Sequence, residues 1–237
     1  LKKELLMKKL VILIVNYRSS KDAFELIENL KDSTFNDFGI VVWDNNSPQD
    51  EFFRKLEENR HIKFIKNDKN IGLTGAVNES LKYIDAKYVL LLNPDIVIDQ
   101  DAVKELLSLI EKDEKIAFVG GAIYNFMNKE KIDAFGGKIN FFTGIGKPLK
   151  NETSIRELSF GEYCDACILM FNKDIFEDLG KYDERFFAYA ETEDVLFRAM
   201  KKGCKVMINP NAKVWHKQYG SSGGKKSKFV VYQLTRN

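Results

Sequence analysis

Several things are missing from this sequence, and each absence removes a class of function. Neither charge sign dominates: Lys+Arg 37 against Asp+Glu 35 leaves +2 over 237 residues. The charges are interspersed rather than blocked, so no field suited to nucleic acid is expected. The three cysteines, Cys164, Cys167 and Cys204, are too few and odd in number for a disulfide framework. A reducing compartment fits them best. Cys164-Asp165-Ala166-Cys167 has the two-residue spacing of zinc and redox sites, but no second Cys or His pair accompanies it, and it lies inside an apolar run. No apolar stretch approaches the roughly eighteen residues of a spanning helix, Leu10–Val15 being the longest continuous aliphatic run. The opening residues 1–6 carry too short an apolar part for a signal peptide, Met7 reads as a start with other sequence before it, and the chain reaches Asn237 without stop signals, as a truncated chain would. Finally, Asn16-Tyr17-Arg18-Ser19-Ser20 after the first apolar run contains no glycine, which disfavours both a nicotinamide dehydrogenase and a sugar-phosphate nucleotidyltransferase.

What is present is a regular alternation. Leu10–Val15, Gly39–Trp43, Ile62–Ile65, Tyr88–Leu92 and Ile116–Val119 read as strands, with amphipathic helices over Lys21–Leu30 and Ala102–Ile110. That pattern predicts βα units around a mostly parallel sheet. From Gly120 to about Leu158 periodicity fades, and an irregular segment is expected. Regular structure returns as a strand over Tyr163–Phe171, helices over Lys173–Leu179 and Glu193–Lys202, and strands over Lys205–Ile208 and Lys213–Trp215. No internal repeat is present. The expected division is an extension over residues 1–9, a nucleotide-binding half over 10–122, an acceptor-binding and catalytic half of the same domain over 123–224, and a C-terminal segment over 225–237.

Ligands of open α/β sheets bind beyond the carboxyl ends of the strands. Four such ends carry polar clusters: Asn16-Tyr17-Arg18, Asp44-Asn45-Asn46-Ser47, Asn70-Ile71-Gly72 and Asn93-Pro94-Asp95. Asp44 offers a carboxylate for a base edge or ribose hydroxyl. Asn93-Pro94-Asp95 is a fixed turn aiming a carboxylate at a hard cation. Each alone could equally be a turn or a helix cap.

Together with Asn70-x-Gly72-x-x-x-Ala76-x-Asn78, Leu91-Leu92-Asn93-Pro94-Asp95, Asp165-Ala166-Cys167, Gly180-x-Tyr182-Asp183-Glu184, an acidic cluster before Arg198, and His216, these clusters occur in the order found in family 2 glycosyltransferases with the A-type fold. The chain resembles that family from Leu10 to Asn237, particularly its rhamnosyltransferase-like branch. The resemblance implies a single α/β domain with helices flanking a mostly parallel central sheet. It implies transfer of a sugar, with inversion, from a nucleotide-diphosphate donor to a hydroxyl of a glycan or lipid-linked acceptor. Donor-binding residues would be Asn16, Tyr17, Arg18, Asp44, Asn46, Asn70, Gly72, Asn78 and Asn93. Asp165 would stand on the acceptor side. Asp95 and His216 would hold Mn²⁺ or Mg²⁺, with Asn93 in place of the motif's first acid.

The base position, counted back from Arg198, falls on Thr192, whose hydroxyl cannot serve. Asp194 is the preferred candidate, with Glu191 and Glu193 as the others, although acids at a helix start also act as simple caps. That departure keeps open an inactive nucleotide-sugar-binding module. Work on a lipid-linked acceptor implies the cytoplasmic face of a membrane, and the stretch Lys225–Tyr232 fits either a peripheral membrane contact or a solvated helix.

Overall fold

The computed structural model describes residues 8–217 and, beyond them, residues 228, 232, 235 and 236. Apolar runs with little polar alternation form the inner parallel strands, as expected of strands covered on both faces, while the edge strand is only partly buried. In chain order the four are β1 (Leu10–Asn16), β2 (Phe38–Asp44), the edge strand β3 (Lys63–Lys66) and β4 (Tyr88–Leu92). They pair in parallel in the order β3-β2-β1-β4. The chain steps from β1 to β2 and β3 on one side and only then to β4 on the other. That reversal opens a crevice at the carboxyl ends of β1 and β4, the switch point where α/β sheets take ligands.

Two helices cross these strands with one apolar face each: α1 (Ser20–Leu30) buries Ala23, Leu26, Ile27 and Leu30, and α4 (Ala102–Ile110) buries Val103, Leu106, Leu107 and Ile110. Between them lie α2 (Glu51–Glu58) and α3 (Gly72–Ser80), which the hydrophobic pattern does not announce. After β4 the chain forms β5 (Ile96–Ile98), and after α4 it forms β6 (Ile116–Asn125).

The segment expected to be irregular is built of short strands. β6 runs on to Asn125, β7 (Ile132–Ala134) folds back on it, and β8 (Gly137–Asn140) and β9 (Ile145–Pro148) make a hairpin. Then come β10 (Arg156–Glu157) and β11 (Glu162–Tyr163), the latter completing a three-stranded sheet ordered β11-β8-β9. The strand expected over Tyr163–Phe171 is interrupted: β11 ends at Tyr163 and β12 (Ile168–Asn172) begins after the Cys164–Cys167 turn, where the Cys167 N–H is capped by the Asp165 carboxylate at 2.9 Å.

Two helices come next, α5 (Lys173–Asp178) and α6 (Glu191–Lys201). The last two expected strands are one, β13 (Lys205–His216), with a register shift between Ile208 and Lys213. In the main sheet β12 is antiparallel to both β4 and β6, and β13 lies parallel to β6. One sheet, ordered β10-β13-β6-β12-β4-β1-β2-β3, therefore runs through both halves of the chain. No described helix is long and apolar enough to cross a membrane.

Candidate active site

The crevice is lined by the residues immediately beyond each strand. At the end of β1, Asn16 is fully buried and its amide donates to the Asp44 carboxylate at 2.8 Å and reaches the Ser20 and Ser47 hydroxyls at 3.1 Å. Its carbonyl oxygen accepts from the Ser19 N–H. Asp44 is equally buried, its second oxygen taking the Ser47 N–H at 2.9 Å. These two residues were expected to touch a nucleoside directly. Their polar atoms satisfy each other, since buried polar groups need partners, and they lock the ends of β1 and β2 together. Ser20 and Ser47, to which the motifs assign no role, complete that lock. The exposed groups above it are Arg18 and Asn46, both at positive φ (57° and 66°), with Tyr17 half-buried and the Arg18 guanidinium 5.2 Å from its ring centre.

Asn70, Gly72 and Asn78, expected on the donor side, make contacts that build α3 and hold the chain around it. The Asn70 carbonyl oxygen accepts from the Gly72 N–H, an Asx turn that starts α3. Gly72, at φ 78°, lies so close to the Phe187 carbonyl that a Cβ would overlap it. Leu73 N–H donates to that carbonyl at 2.9 Å. The buried Asn78 amide donates to the Tyr182 carbonyl and accepts from the Tyr182 N–H, at 2.9 and 3.1 Å, and also reaches the Glu184 carboxylate. α3 thus fastens residues 182–187, the segment that feeds α6. Gly-rich, cap-forming chemistry gave no signal of this, because the partners are more than a hundred residues away.

Asp95 owes its place to Pro94 and β5. The turn after β4 sends β5 away from the parallel set to pair with the end of β13, so that Ile96 faces His216. Asp95 then stands beside the histidine: His216 Nε2 lies 3.2 Å from Asp95 Oδ1, and the Lys217 N–H donates to the Asp95 carbonyl at 2.9 Å. Burial works to lower the His216 pKa, but the Asp95 hydrogen bond and the charges of Asp95, Asp165 and Asp133 outweigh it, and the net shift is upward. Asn93 is half-buried at the same turn, its N–H given to the Cys167 carbonyl at 3.1 Å.

That hydrogen bond brings the turn before β12 to the same place. Asp165 is exposed there, and its charge bears on His216, Glu191 and Glu193. Cys164 and Cys167 are buried free thiols whose pKa values burial pushes up, so they are inert packing groups beside the carboxylates.

α6 opens after two successive residues in the left-handed region, Tyr189 (φ 70°) and Ala190 (φ 66°). Backbone of this kind is held against its own preference by what surrounds it, and it points the first turn of α6 inward. The three acids of that turn meet different fates. Asp194, the preferred base candidate, is held by Arg198 through two bonds of 2.9 and 2.6 Å, and the same guanidinium binds the Leu179 and Lys181 carbonyls. It is a structural clamp. Glu191 is sealed, 4% exposed, with one oxygen accepting from the Thr192 hydroxyl at 3.2 Å and the other without a partner among the described residues. Glu193 is half-buried, and burial together with the Asp165 charge raises its pKa to about 7. Of the three, Glu193 is neither sealed like Glu191 nor paired with an arginine like Asp194.

Asp95, His216, Asp165 and Glu193 therefore gather where β4, β12, β13 and α6 meet. The described residues hold no cluster of three or more His, Cys, Asp or Glu able to bind a metal by itself. The Asp95–His216 pair is a two-ligand set, one carboxylate oxygen and one imidazole nitrogen, which fits a cation whose remaining positions are filled by ligand oxygens.

Known proteins resemble this chain over nearly its whole length. The hexosyltransferase Agl10 of low-salt glycan biosynthesis in Haloferax volcanii is 25% identical over 232 residues, 96% of this chain and 73% of its own. The poly-beta-1,6-N-acetyl-D-glucosamine synthase of Staphylococcus aureus is 22% identical over 210 residues, 87% of this chain but 49% of its own, so the chain spans about half of that relative. Among solved structures, GalNAc-T7 with UDP, GalNAc and Mn²⁺ superposes with a TM-score of 0.75 at 17% identity, over 97% of this chain and 47% of that one. The Pyrobaculum calidifontis mannosyltransferase PcManGT with GDP-Man and Mn²⁺ gives 0.67 at 12% identity, over 89% of this chain and 57% of that one. These two likenesses give the fold, a single A-type glycosyltransferase domain. The family model of glycosyl transferase family 2 matches residues 11–180, a span that takes in the crevice from Asn16 to Asp165, and the chain belongs to that family.

Proposed function

We propose that the protein is a metal-assisted, inverting glycosyltransferase that moves a hexosyl or rhamnosyl-type sugar from a nucleotide-diphosphate donor to a hydroxyl of a glycan or lipid-linked acceptor. The observation that carries the reading is the meeting of Asp95 and His216 with Asp165 and Glu193 beside the switch point. The nucleoside lies over Tyr17, Arg18 and Asn46, with the Asn16–Asp44 lock beneath. The diphosphate reaches toward Asp95, two strand spacings or about 10 Å from β2. Asp165 orients the acceptor, and the Glu193 carboxylate takes the proton of its hydroxyl. That oxygen forms a bond to the anomeric carbon from the face opposite the diphosphate, the carbon–oxygen bond to the diphosphate breaks, and the configuration inverts. Mn²⁺ or Mg²⁺, held by Asp95, His216 and diphosphate oxygens, would neutralise charge on the departing group.

The burial of Thr192 against Glu191, with Glu193 at the crevice, supports an active enzyme over an inactive binding module. The relatives act in glycan and polysaccharide assembly by name, which supports a glycan acceptor, and the proposal places a lipid-linked acceptor at the cytoplasmic face of a membrane.

The test is transfer from nucleotide-diphosphate sugars in Mn²⁺, with Glu193→Gln and Asp194→Asn compared. Glu193→Gln is expected to lower kcat by about 10³-fold, in the range typical of a lost base, while Asp194→Asn stays within about tenfold, chiefly through stability. The rate of the unsubstituted protein should rise through about pH 7 as Glu193 loses its proton. The reverse ranking would move the base to Asp194, and a product retaining the donor configuration would sink the single displacement.

A further inference from the structure

The β8–β9 hairpin carries an exposed surface that the reaction does not use. Residues 140–148 are all exposed, and at the tip Phe142 is 99%, Phe141 62% and Ile145 61% exposed. Large apolar side chains projecting from a turn expose area that a protein working only in water gains nothing from. One side chain of the patch is anchored to the body of the protein. Phe141 stacks on Phe160 with ring centres 5.5 Å apart, and both pack on Phe197 of α6, at 5.7 and 5.3 Å.

Its charge is one-sided. From Ala134 to Asn151 there are three lysines, Lys138, Lys147 and Lys150, and no acid. Lys138 and Lys147 stand directly opposite each other in the hairpin ladder. Like charges in that position repel, and Glu162, on the other flank of Lys138, offsets this only in part because Arg156 shares it at 2.8 Å. An external anionic surface would relieve the repulsion. Aromatic side chains at a tip with lysines behind them match the two layers of a bilayer face, acyl boundary and anionic headgroups.

We infer that this hairpin docks the protein on an anionic lipid bilayer. Phe142 and Ile145 enter the interface, and Lys138, Lys147 and Lys150 lie against the headgroups. The geometry links docking to the site. Phe197 lies one helical turn beyond Glu193, so both are on the same side of α6, and Tyr163, two residues before Asp165, packs its ring on Gly137 and Gly146 at the hairpin base. A docked hairpin thus holds the mouth between Asp165 and Glu193 near the membrane, where a lipid-linked acceptor presents its hydroxyl. The inference rests on the proposed membrane-side acceptor, and the two can fail separately.

The experiment measures co-sedimentation of the full chain with vesicles of phosphatidylcholine alone and with about 30% phosphatidylglycerol, a content that gives the anionic surface potential the lysines would sense. The expected result is binding to the anionic vesicles, weakened by salt, and reduced at least tenfold by Phe142→Ser with Ile145→Ser. Those two side chains are exposed enough for the variant to fold. A variant with Lys147→Glu and Lys150→Glu should lose the preference for anionic lipid. Transfer to a water-soluble acceptor should be unchanged in both. The inference is overturned if vesicle binding is absent at low salt, if it is indifferent to these substitutions, or if they instead dissolve a dimer seen by analytical ultracentrifugation. Loss of transfer to the soluble acceptor in the unsubstituted protein would strike the transferase reading and leave the docking result standing.

Discussion

Glu191 and Glu193 are two positions apart in one helix, and both have pKa values near 7, yet for different ends. Glu193 is raised by partial burial and by Asp165 at the crevice, which suits a group that must hold and release a proton near neutrality. Glu191 is sealed behind it, raised chiefly by burial, with one oxygen unpaired among the described residues. In the unfolded chain its pKa returns to about 4.5. Between those values the native protein holds a proton that the unfolded chain has given up. Stability from this residue is therefore complete below about pH 4.5 and is lost as pH rises through 7, by about 3 kcal/mol for a shift of this size. Glu191→Gln removes the titration. Its melting temperature relative to the unsubstituted protein should climb between pH 5 and 8, and a difference independent of pH would mean that Glu191 is ionised throughout. Asp194 shows why composition could not choose among the three acids: only the fold reveals that Arg198 occupies it.

At the scale of elements, α3 ties the first half of the sheet to the segment that feeds α6. Gly72 meets the Phe187 carbonyl, Thr74 donates its hydroxyl to the Phe186 carbonyl, and Asn78 grips Tyr182. Gly72→Ala combines a strained φ with an overlap and should cost on the order of 3 kcal/mol. Because the displaced segment leads through Tyr189 and Ala190 into Glu193, kcat should fall while the donor KM changes little. A raised donor KM with normal kcat would place Gly72 in the donor wall. α3 is invisible in the sequence because nearly all of Gly72–Ser80 is buried, so no amphipathic period marks it, and Gly, Thr and Asn are poor helix formers. By contrast β1, β2, β4 and α4 are plain, being continuous apolar runs or a clean one-sided helix. The three-stranded sheet is hidden for a third reason. Its pairings are held by Tyr163 against Gly137 and Gly146, and exposed strands carry no alternation to read.

At the scale of the molecule, the site is assembled from chain segments far apart, residues 16–47, 93–95, 165, 191–193 and 216, joined by one sheet. The sequence order of motifs pointed to Asp95 and His216 but could not show that they touch; the β5–β13 pairing does that, across 121 positions. The pair has a consequence for ligand binding. Without a cation, Asp95 and His216 satisfy each other and the histidine pKa is raised, so coordination must displace a proton from the imidazole. Metal-dependent donor binding should therefore strengthen from pH 6 to 8. A nucleotide-diphosphate sugar at about a hundred times its Kd should add about 2.7 kcal/mol, or roughly 5–10 °C in melting temperature, and most of that rise should require Mn²⁺. Asp95→Ala should remove the Mn²⁺-dependent part and leave the smaller part due to the nucleoside over Tyr17 and Arg18. If the thermal shift with donor is the same with Mn²⁺ and with EDTA, or survives Asp95→Ala intact, the diphosphate is held elsewhere and the Asp95–His216 contact is a structural tie between β5 and β13.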